Sequence, residues 1–374
     1  MAKSSSVVTG FSVAGLTLLS LLLPACESAT EPDEELGTHQ AQLLAREPVR
    51  CERVTFPVAL AEEEPATYQV VGWLCGRGSI QHRTIQVLVH GGTGSHAYWD
   101  FPYQPERYSY VRDLTAAGYA TLAIDRIGTG ESDHPPALDV TIRSNAYVVH
   151  QVVQKLRSGT LHVPSFGPVT GSRVMLVGHS MGSVVSIREA ASYHDVDGLI
   201  LTGYLHNEGP GLAELSAKFI PASLDPRFAG RNIPDGYLTT IPGARDASYF
   251  YYAPTTDPGV VAMDEATKET TTIGEFSDFF ASAALSPQID VPVLTVVGDL
   301  DRMFCEASCS AGGIVDREYQ FFSPAAQLRV VTIPLSSHNV NLHEQAPLAF
   351  AIAAAWSGLH VGVDTRWPPP LAGH

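Results

Sequence analysis

Three short patterns in this 374-residue chain hold side chains that together can cleave an acyl bond. Gly178-His179-Ser180-Met181-Gly182 sets a serine with a glycine two places to either side. Gly298-Asp299-Leu300-Asp301 supplies carboxylates, and Pro334-Leu335-Ser336-Ser337-His338-Asn339 supplies an imidazole. A serine hydroxyl is a weak nucleophile, so a base must take its proton, and an acid must fix the tautomer of that base and stabilise its charged form. The glycines have a steric reason. A serine presented on a tight strand-to-helix turn takes strained backbone angles, and side chains two residues away would collide across the turn. The helix N-terminus beyond it adds N–H groups and positive partial charge where an oxyanion develops.

Such a serine needs a strand before it and a helix after it, and the surrounding pattern provides both. From residue 85 onward short apolar runs alternate with longer amphipathic ones, the signature of βαβ units and a mostly parallel sheet. Strands are expected at Ile85 to Val89, Tyr119 to Ile124, Val174 to Val177, Gly198 to Leu201, Val293 to Val297 and Leu328 to Ile333, mostly continuous apolar runs that suit burial on both faces. Helical periodicity covers Ile142 to Leu156, Gly182 to Tyr193 and Glu344 to Leu359. Arg53 to Leu60 and Tyr68 to Leu74 alternate in the manner of a hairpin at the start of the fold. From Asn207 to Gln288 the rhythm breaks into Pro, Gly and the cluster Tyr249, Phe250, Tyr251 and Tyr252. This stretch is too long for one loop. It reads as a lid, at about residues 206–288, inserted between the sixth and seventh strands of a domain spanning residues 49–374.

With these elements in place the chain resembles the α/β-hydrolase superfamily from about residue 51 to 360. Gly178-His179-Ser180-Met181-Gly182 is similar to that family's nucleophile elbow. His90-Gly91-Gly92-Thr93-Gly94-Ser95 looks like its oxyanion loop, and Asp125-Arg126-Ile127-Gly128-Thr129-Gly130-Glu131-Ser132 like a turn that is usually architectural. The resemblance implies an α/β-hydrolase fold, with Ser180 as nucleophile and the N–H groups of Gly92 and Met181 as oxyanion donors. Thr93 is a substitute or hydroxyl helper. The remaining members should follow in the order acid, histidine. Asp301 matches the family's acid turn, with Asp299 and then Glu208 as alternatives. His338 matches its histidine, with His343 as the alternative, while His90 and His179 orient loops. Trp99, Phe101 and Tyr103 either line an acyl pocket or fill the core.

Composition narrows the function. Hydrophobic residues make up 45% and charged ones 17%, which provides for a large core and excludes wholesale disorder. A formal charge of -16 repels phosphate backbones, so no nucleic-acid partner is expected. Lys3 precedes an apolar run from Phe11 to Leu23, read as a signal peptide over residues 1–25. Leu22-Leu23-Pro24-Ala25-Cys26 resembles a bacterial lipobox, so Cys26 is a candidate lipid anchor to a membrane; plain secretion and a retained membrane helix are the alternatives. Residues 26–48 read as a flexible acidic tether. The other cysteines fall as Cys51 with Cys75 and Cys305 with Cys309, and two disulfides are the simplest outcome in an exported protein. No dinucleotide fingerprint, P-loop or zinc pattern is present, so no cofactor or metal is expected. The expected activity is hydrolysis of a carboxylic ester, a moderately apolar small-molecule ester or lactone, by an exported serine hydrolase of the esterase, lipase or lactonase kind. Amidase, thioesterase, peptidase or acyltransferase chemistry would use the same triad, and a non-catalytic binding module is the alternative from another class.

Overall fold

In a computed structural model of the chain the described residues are 47–364 and 366, except 247 and 312. The proposed leader, Cys26 and nearly all of the tether lie outside them. Eight strands form the central sheet: β1 (Arg50–Val58), β2 (Tyr68–Gly76), β3 (Ile85–Val89), β4 (Ala120–Ile124), β5 (Val174–His179), β6 (Gly198–Thr202), β7 (Val293–Gly298) and β8 (Arg329–Ile333). Their order across the sheet is β1-β2-β4-β3-β5-β6-β7-β8. The first two pairings, β1 with β2 and β2 with β4, are antiparallel, and every pairing from β4 to β8 is parallel. Every residue of β3, β4, β5, β6 and β7 is buried, as their unbroken apolar runs require of strands covered on both faces.

Flanking helices include α1 (Tyr110–Ala116), α2 (Ile142–Arg157), α3 (Met181–Tyr193) and, in the carboxyl-terminal part, α5 (Ala346–His360). Their starts are set by local chemistry. Thr141 and Ser144 cap α2 reciprocally, and Asp278, from far along the chain, accepts from the N–H groups of Ile142 at 2.8 Å and Arg143 at 3.0 Å. Among the described residues no helix is long and apolar enough to cross a membrane.

Between β6 and β7 the chain leaves the sheet and forms an insertion of short helices, among them α4 (Pro258–Thr267), with a three-stranded sheet of Phe219–Pro221, Tyr237–Thr240 and Thr271–Thr272. Strands this short leave no periodicity to read, which is why the sequence shows only a break in rhythm here. The expected cysteine pairs are bonded: Cys51 with Cys75, directly opposite each other across β1 and β2, and Cys305 with Cys309. β1 therefore begins at Arg50, ahead of the expected Arg53, because the cross-link holds its first residues in register.

The Cys51–Cys75 bond spans 24 positions, a loop whose closure is worth roughly 3 kcal/mol. Replacing both cysteines with serine is expected to lower unfolding stability by about that amount. Urea denaturation of the variant and the parent checks it, and the difference between them should vanish when both are unfolded in the presence of a reductant, which opens Cys305–Cys309 in each.

Candidate active site

Ser180 sits between the end of β5 and the first residue of α3 with φ 53° and ψ −121°, a conformation that costs on the order of 1–3 kcal/mol and persists only when its surroundings impose it. They do so here. The Ser180 N–H donates to the Thr202 carbonyl at 2.8 Å, and Ser183 N–H donates to the Ser180 carbonyl at 2.9 Å. A Cβ on Gly182 would collide with the carbonyl oxygen of Val89, and one on Gly178 would meet the backbone of Ser183. Gly182 is thus needed for the start of α3 to lie against the end of β3, and Gly178 for the tight turn from β5 into α3. Ser180 itself stays partly exposed, while Gly178, His179, Met181 and Gly182 are buried.

The loop after β3 lies beside this turn. A Cβ on Gly91 would sit 3.0 Å from Cβ of Ser180, and one on Gly92 would sit 3.6 Å from Sδ of Met181, so the two expected N–H donors flank one space. Two buried arginines hold the loop. Arg126 Nε donates to the His90 carbonyl at 3.0 Å, and its guanidinium pairs with buried Glu275 of the insertion. Arg245, also from the insertion, donates through Nη2 to the carbonyl of Thr93 at 2.5 Å and to its hydroxyl at 2.8 Å. Thr93 has φ 56°, and its hydroxyl donates to the Gly92 carbonyl at 2.7 Å. The hydroxyl is occupied in fixing the loop and is not a free helper for an oxyanion. His90 is neutral: burial first, and then the Arg126 charge, push it down to about 3, and its Nε2 accepts from Arg126 N–H at 3.1 Å.

At the next strand ends, Asp301 is fully buried and its Oδ2 accepts from Nδ1 of His338 at 3.0 Å, while its Oδ1 accepts from Met303 N–H at 3.0 Å. The two loops are locked together. Leu300 N–H donates to the Ser336 carbonyl at 2.9 Å, and a Cβ on Gly298 would overlap the carbonyls of Ser336 and Ser337. The Cys305–Cys309 bond closes the turn after the acid, with Cys305 N–H donating to the Asp301 carbonyl at 2.9 Å.

The alternatives take other posts. Asp299 accepts from Ser308 Oγ at 2.8 Å and Ser310 N–H at 2.9 Å, holding the disulfide loop. His343 Nε2 accepts from the N–H groups of Tyr252 at 3.0 Å and Ser337 at 3.1 Å, and its Nδ1 donates to the Asn339 carbonyl at 3.0 Å. Both of its nitrogens are therefore committed to the backbone. His179 stacks on Tyr98 with centroids 4.2 Å apart; burial, and then the neighbouring His338 ring, push it well below the ordinary histidine range.

A cavity of about 380 Å³ gathers the expected residues, with Gly92, Ser180, Met181 and His338 all in its wall and Asp301 behind His338. Glu208 also reaches this wall, but His338 pairs with Asp301. The residues that the sequence offered as an acyl pocket are not in the wall. Trp99 and Phe101 are buried in the core, and Tyr103 donates to Asp257 at 3.0 Å. The apolar wall comes instead from Tyr98 and from phenylalanines of the insertion, Phe219, Phe250, Phe276, Phe279 and Phe280.

The family profile described as "Alpha/beta hydrolase family" matches residues 86–354, more than half of the chain. The chain belongs to the alpha/beta hydrolase family. Solved structures of similar fold include an esterase from Thermogutta terrifontis with malate bound, with a TM-score of 0.54, 18% identity and coverage of 83% of this chain and 100% of that one. The 2-hydroxy-6-oxo-6-phenylhexa-2,4-dienoate hydrolase from Rhodococcus sp. strain RHA1 has a TM-score of 0.52 at 18% identity, covering 83% and 99%. The alpha/beta hydrolase GrgF from Penicillium sp. sh18 reaches 0.55 at 14% identity, with the same coverages of 83% and 99%. By sequence alone no curated protein matches the chain.

Several groups in this hydrolase's site were not legible in its sequence. Arg245, Asp264 and Asn339 form one buried polar cluster in the cavity wall. Asp264 Oδ2 lies 3.7 Å from Arg245, accepts from Tyr251 hydroxyl at 2.7 Å and from Asn339 Nδ2 at 3.4 Å. Arg245 and Asp264 each stand beside an acidic residue, Asp246 and Glu265, as surface residues commonly do, and nothing local says that they are buried or that they meet.

Burial, the largest cause, pushes His343 down to about 4 from 6.5. Between those two values the unfolded chain binds a proton that the folded one refuses, so stability falls with pH across that window. This group's contribution, on the order of 3 kcal/mol, is complete above pH 6.5 and gone below about pH 4. The drop in melting temperature between pH 7 and pH 4.5 should therefore be smaller in a His343→Gln variant than in the parent. Equal drops would mean that His343 is charged in the native state.

Proposed function

We propose that this hydrolase cleaves carboxylic esters through an acyl-enzyme on Ser180, with His338 as base and then acid, Asp301 as its orienting carboxylate, and the N–H groups of Gly92 and Met181 as oxyanion donors. The observation that carries the reading is the 3.0 Å hydrogen bond from His338 to buried Asp301, in a cavity whose wall also holds the strained Ser180 turn. With Nδ1–H donated to Asp301, the second ring nitrogen of His338 is left as the base. It takes the Ser180 proton as the oxygen attacks the ester carbonyl, and the new negative charge is met by the two backbone donors. Removing one such donor typically slows turnover about 10²–10³-fold. His338 then gives the proton to the leaving alkoxide, and the alcohol departs. Water, deprotonated by His338, attacks the acyl carbon, and collapse of the second intermediate frees the acid and restores Ser180.

A serine at the elbow disfavours chemistry that needs a carboxylate nucleophile. The phenylalanine wall suits an apolar acyl or alcohol group of moderate size, with the insertion as a lid over it. Two disulfides are compatible with an exported protein, which the leader pattern of the sequence also suggests.

Ser180→Ala should reduce hydrolysis of a nitrophenyl ester roughly a million-fold with unchanged circular dichroism, and should abolish labelling by a fluorophosphonate. Retained turnover would overturn the mechanism, and a panel of esters of graded acyl length, with matching amides and thioesters, reads the bond preference. Arg245 is a positioning residue in this scheme, since its fork holds Thr93 beside the Gly92 donor. Arg245→Lys keeps the charge but cannot span the Thr93 carbonyl and hydroxyl in the same way. It should lower kcat about 10–100-fold with little change in KM, and an unchanged kcat would remove Arg245 from the oxyanion loop's support.

A further inference from the structure

On the far side of α3 from its catalytic end lies a second cluster of chemistry-bearing groups, and none of them lines the cavity. His150 of α2, Glu189 of α3 and Asp195 of the turn into β6 each offer a ligand atom, and these atoms lie within 4.8 Å of one another. The Asp195 Oδ2 accepts from His150 Nδ1 at 2.8 Å and from Gln154 Nε2 at 2.6 Å, and the imidazole is stacked on Tyr193 with centroids 4.0 Å apart. The rest of the cluster meets no N–H or hydroxyl donor among the described residues. Glu189 is completely buried and its carboxyl faces that of Asp195, whose Oδ1 is buried as well.

Buried carboxylates are normally hydrogen-bonded or paired with positive charge, because an uncompensated one is strongly disfavoured. The nearest cation does not reach these oxygens. Arg157 donates through Nε to the Asp195 carbonyl at 2.7 Å, through Nη1 to the Ser172 carbonyl at 3.3 Å and through Nη2 to Asp197 at 2.6 Å. Three converging oxygens and an imidazole therefore face one another, and among the described residues no N–H, hydroxyl or cation stands between the two carboxyls, so either a shared proton or a bound cation must relieve their repulsion.

We propose that His150, Glu189 and Asp195 bind a divalent transition-metal cation of the zinc class. One imidazole nitrogen and two carboxylates suit such an ion in both donor type and charge. Calcium takes six to eight oxygens and magnesium keeps several waters, which a fully buried Glu189 does not accommodate. His150 and Asp195 keep 22% and 12% of their side chains exposed, which provides access and room for a solvent ligand in the fourth position. Bound there, the ion ties α2 to the last turn of the helix that begins at the Ser180 elbow, so its role is structural.

The test is calorimetric titration of the full chain, stripped by a chelator, with zinc chloride, together with thermal unfolding with and without zinc. One zinc should bind, and zinc at about a hundredfold over its Kd should raise the melting temperature by about 5 °C. Glu189→Gln keeps the shape and removes the charge, so its zinc-free melting temperature should equal or exceed that of the parent while its zinc affinity falls at least about 10-fold. His150→Ala should weaken binding to a similar degree. A parent indifferent to zinc overturns the proposal and leaves the two carboxyls sharing a proton. Undiminished binding in both variants overturns it by placing the zinc on other histidines, and an equal response to calcium overturns the assignment of ion class.

Discussion

The close approach of α3 to the end of β3 is the constraint on which the site depends. It is possible only because residue 182 has no side chain to strike the Val89 carbonyl, and it forces Ser180 into a conformation it would not adopt alone. The same approach brings the loop after β3 against the elbow, so Gly91 touches Ser180 and Gly92 faces Met181. The proposed nucleophile and the proposed oxyanion donors are thus two consequences of one packing contact. Adjacency of β3 and β5 in the sheet makes that contact available, and adjacency of β7 and β8 does the same for Asp301 and His338.

Burial then separates the histidines by role. His90, His179 and His343 all lie in the neighbourhood of the elbow or of the loop that carries His338, and desolvation pushes each below the ordinary range; His90 and His343 serve as neutral donors and acceptors to backbone groups, and His179 to the side chains of Tyr98, Thr202 and Asn339. His338 differs in its partner. It donates to the buried carboxylate of Asp301, the kind of partner that the base of the proposed triad requires. The contrast between a histidine held by backbone groups and one held by a carboxylate distinguishes His338 from His343 more surely than their positions ahead of α5 do.

What was legible in the sequence follows the same physics. The strands β3 to β7 were readable because burial on both faces demands unbroken apolar runs, and the elbow because its glycines answer a local steric demand. Ser180, Asp301 and His338 could be proposed as a triad because each follows a strand whose end is itself readable. The cavity wall could not. Trp99 and Phe101 stand next to the oxyanion loop in sequence yet pack into the core, whereas Phe219, Phe250 and Phe280 come from an insertion whose two- to four-residue strands carry no period. Burial of Arg126, Arg245 and Asp264 was equally hidden, since a charged residue is placed inside only by partners distant in the chain.

Those buried charges also constrain how the insertion behaves. Glu275 pairs with Arg126, Thr270 hydroxyl donates to the Gly128 carbonyl at 2.6 Å, Thr272 hydroxyl to the Val140 carbonyl at 2.6 Å, and Asp278 caps α2. Residues 270–278 are therefore stitched to the sheet domain, and Arg245 is stitched to the oxyanion loop itself. Swinging the whole insertion away would strand several buried polar groups at once and would release Thr93 from its clamp. Phe276 and Phe280, 41% and 62% exposed, stand where the cavity wall meets solvent and carry no such tethers through their side chains. Access to Ser180 is therefore cheapest through side-chain movement at that apolar rim, with the polar seam from Arg126 to Asp264 staying closed. On this account the insertion has two jobs in different residues: its charged groups hold the loop after β3, and its phenylalanines line the cavity.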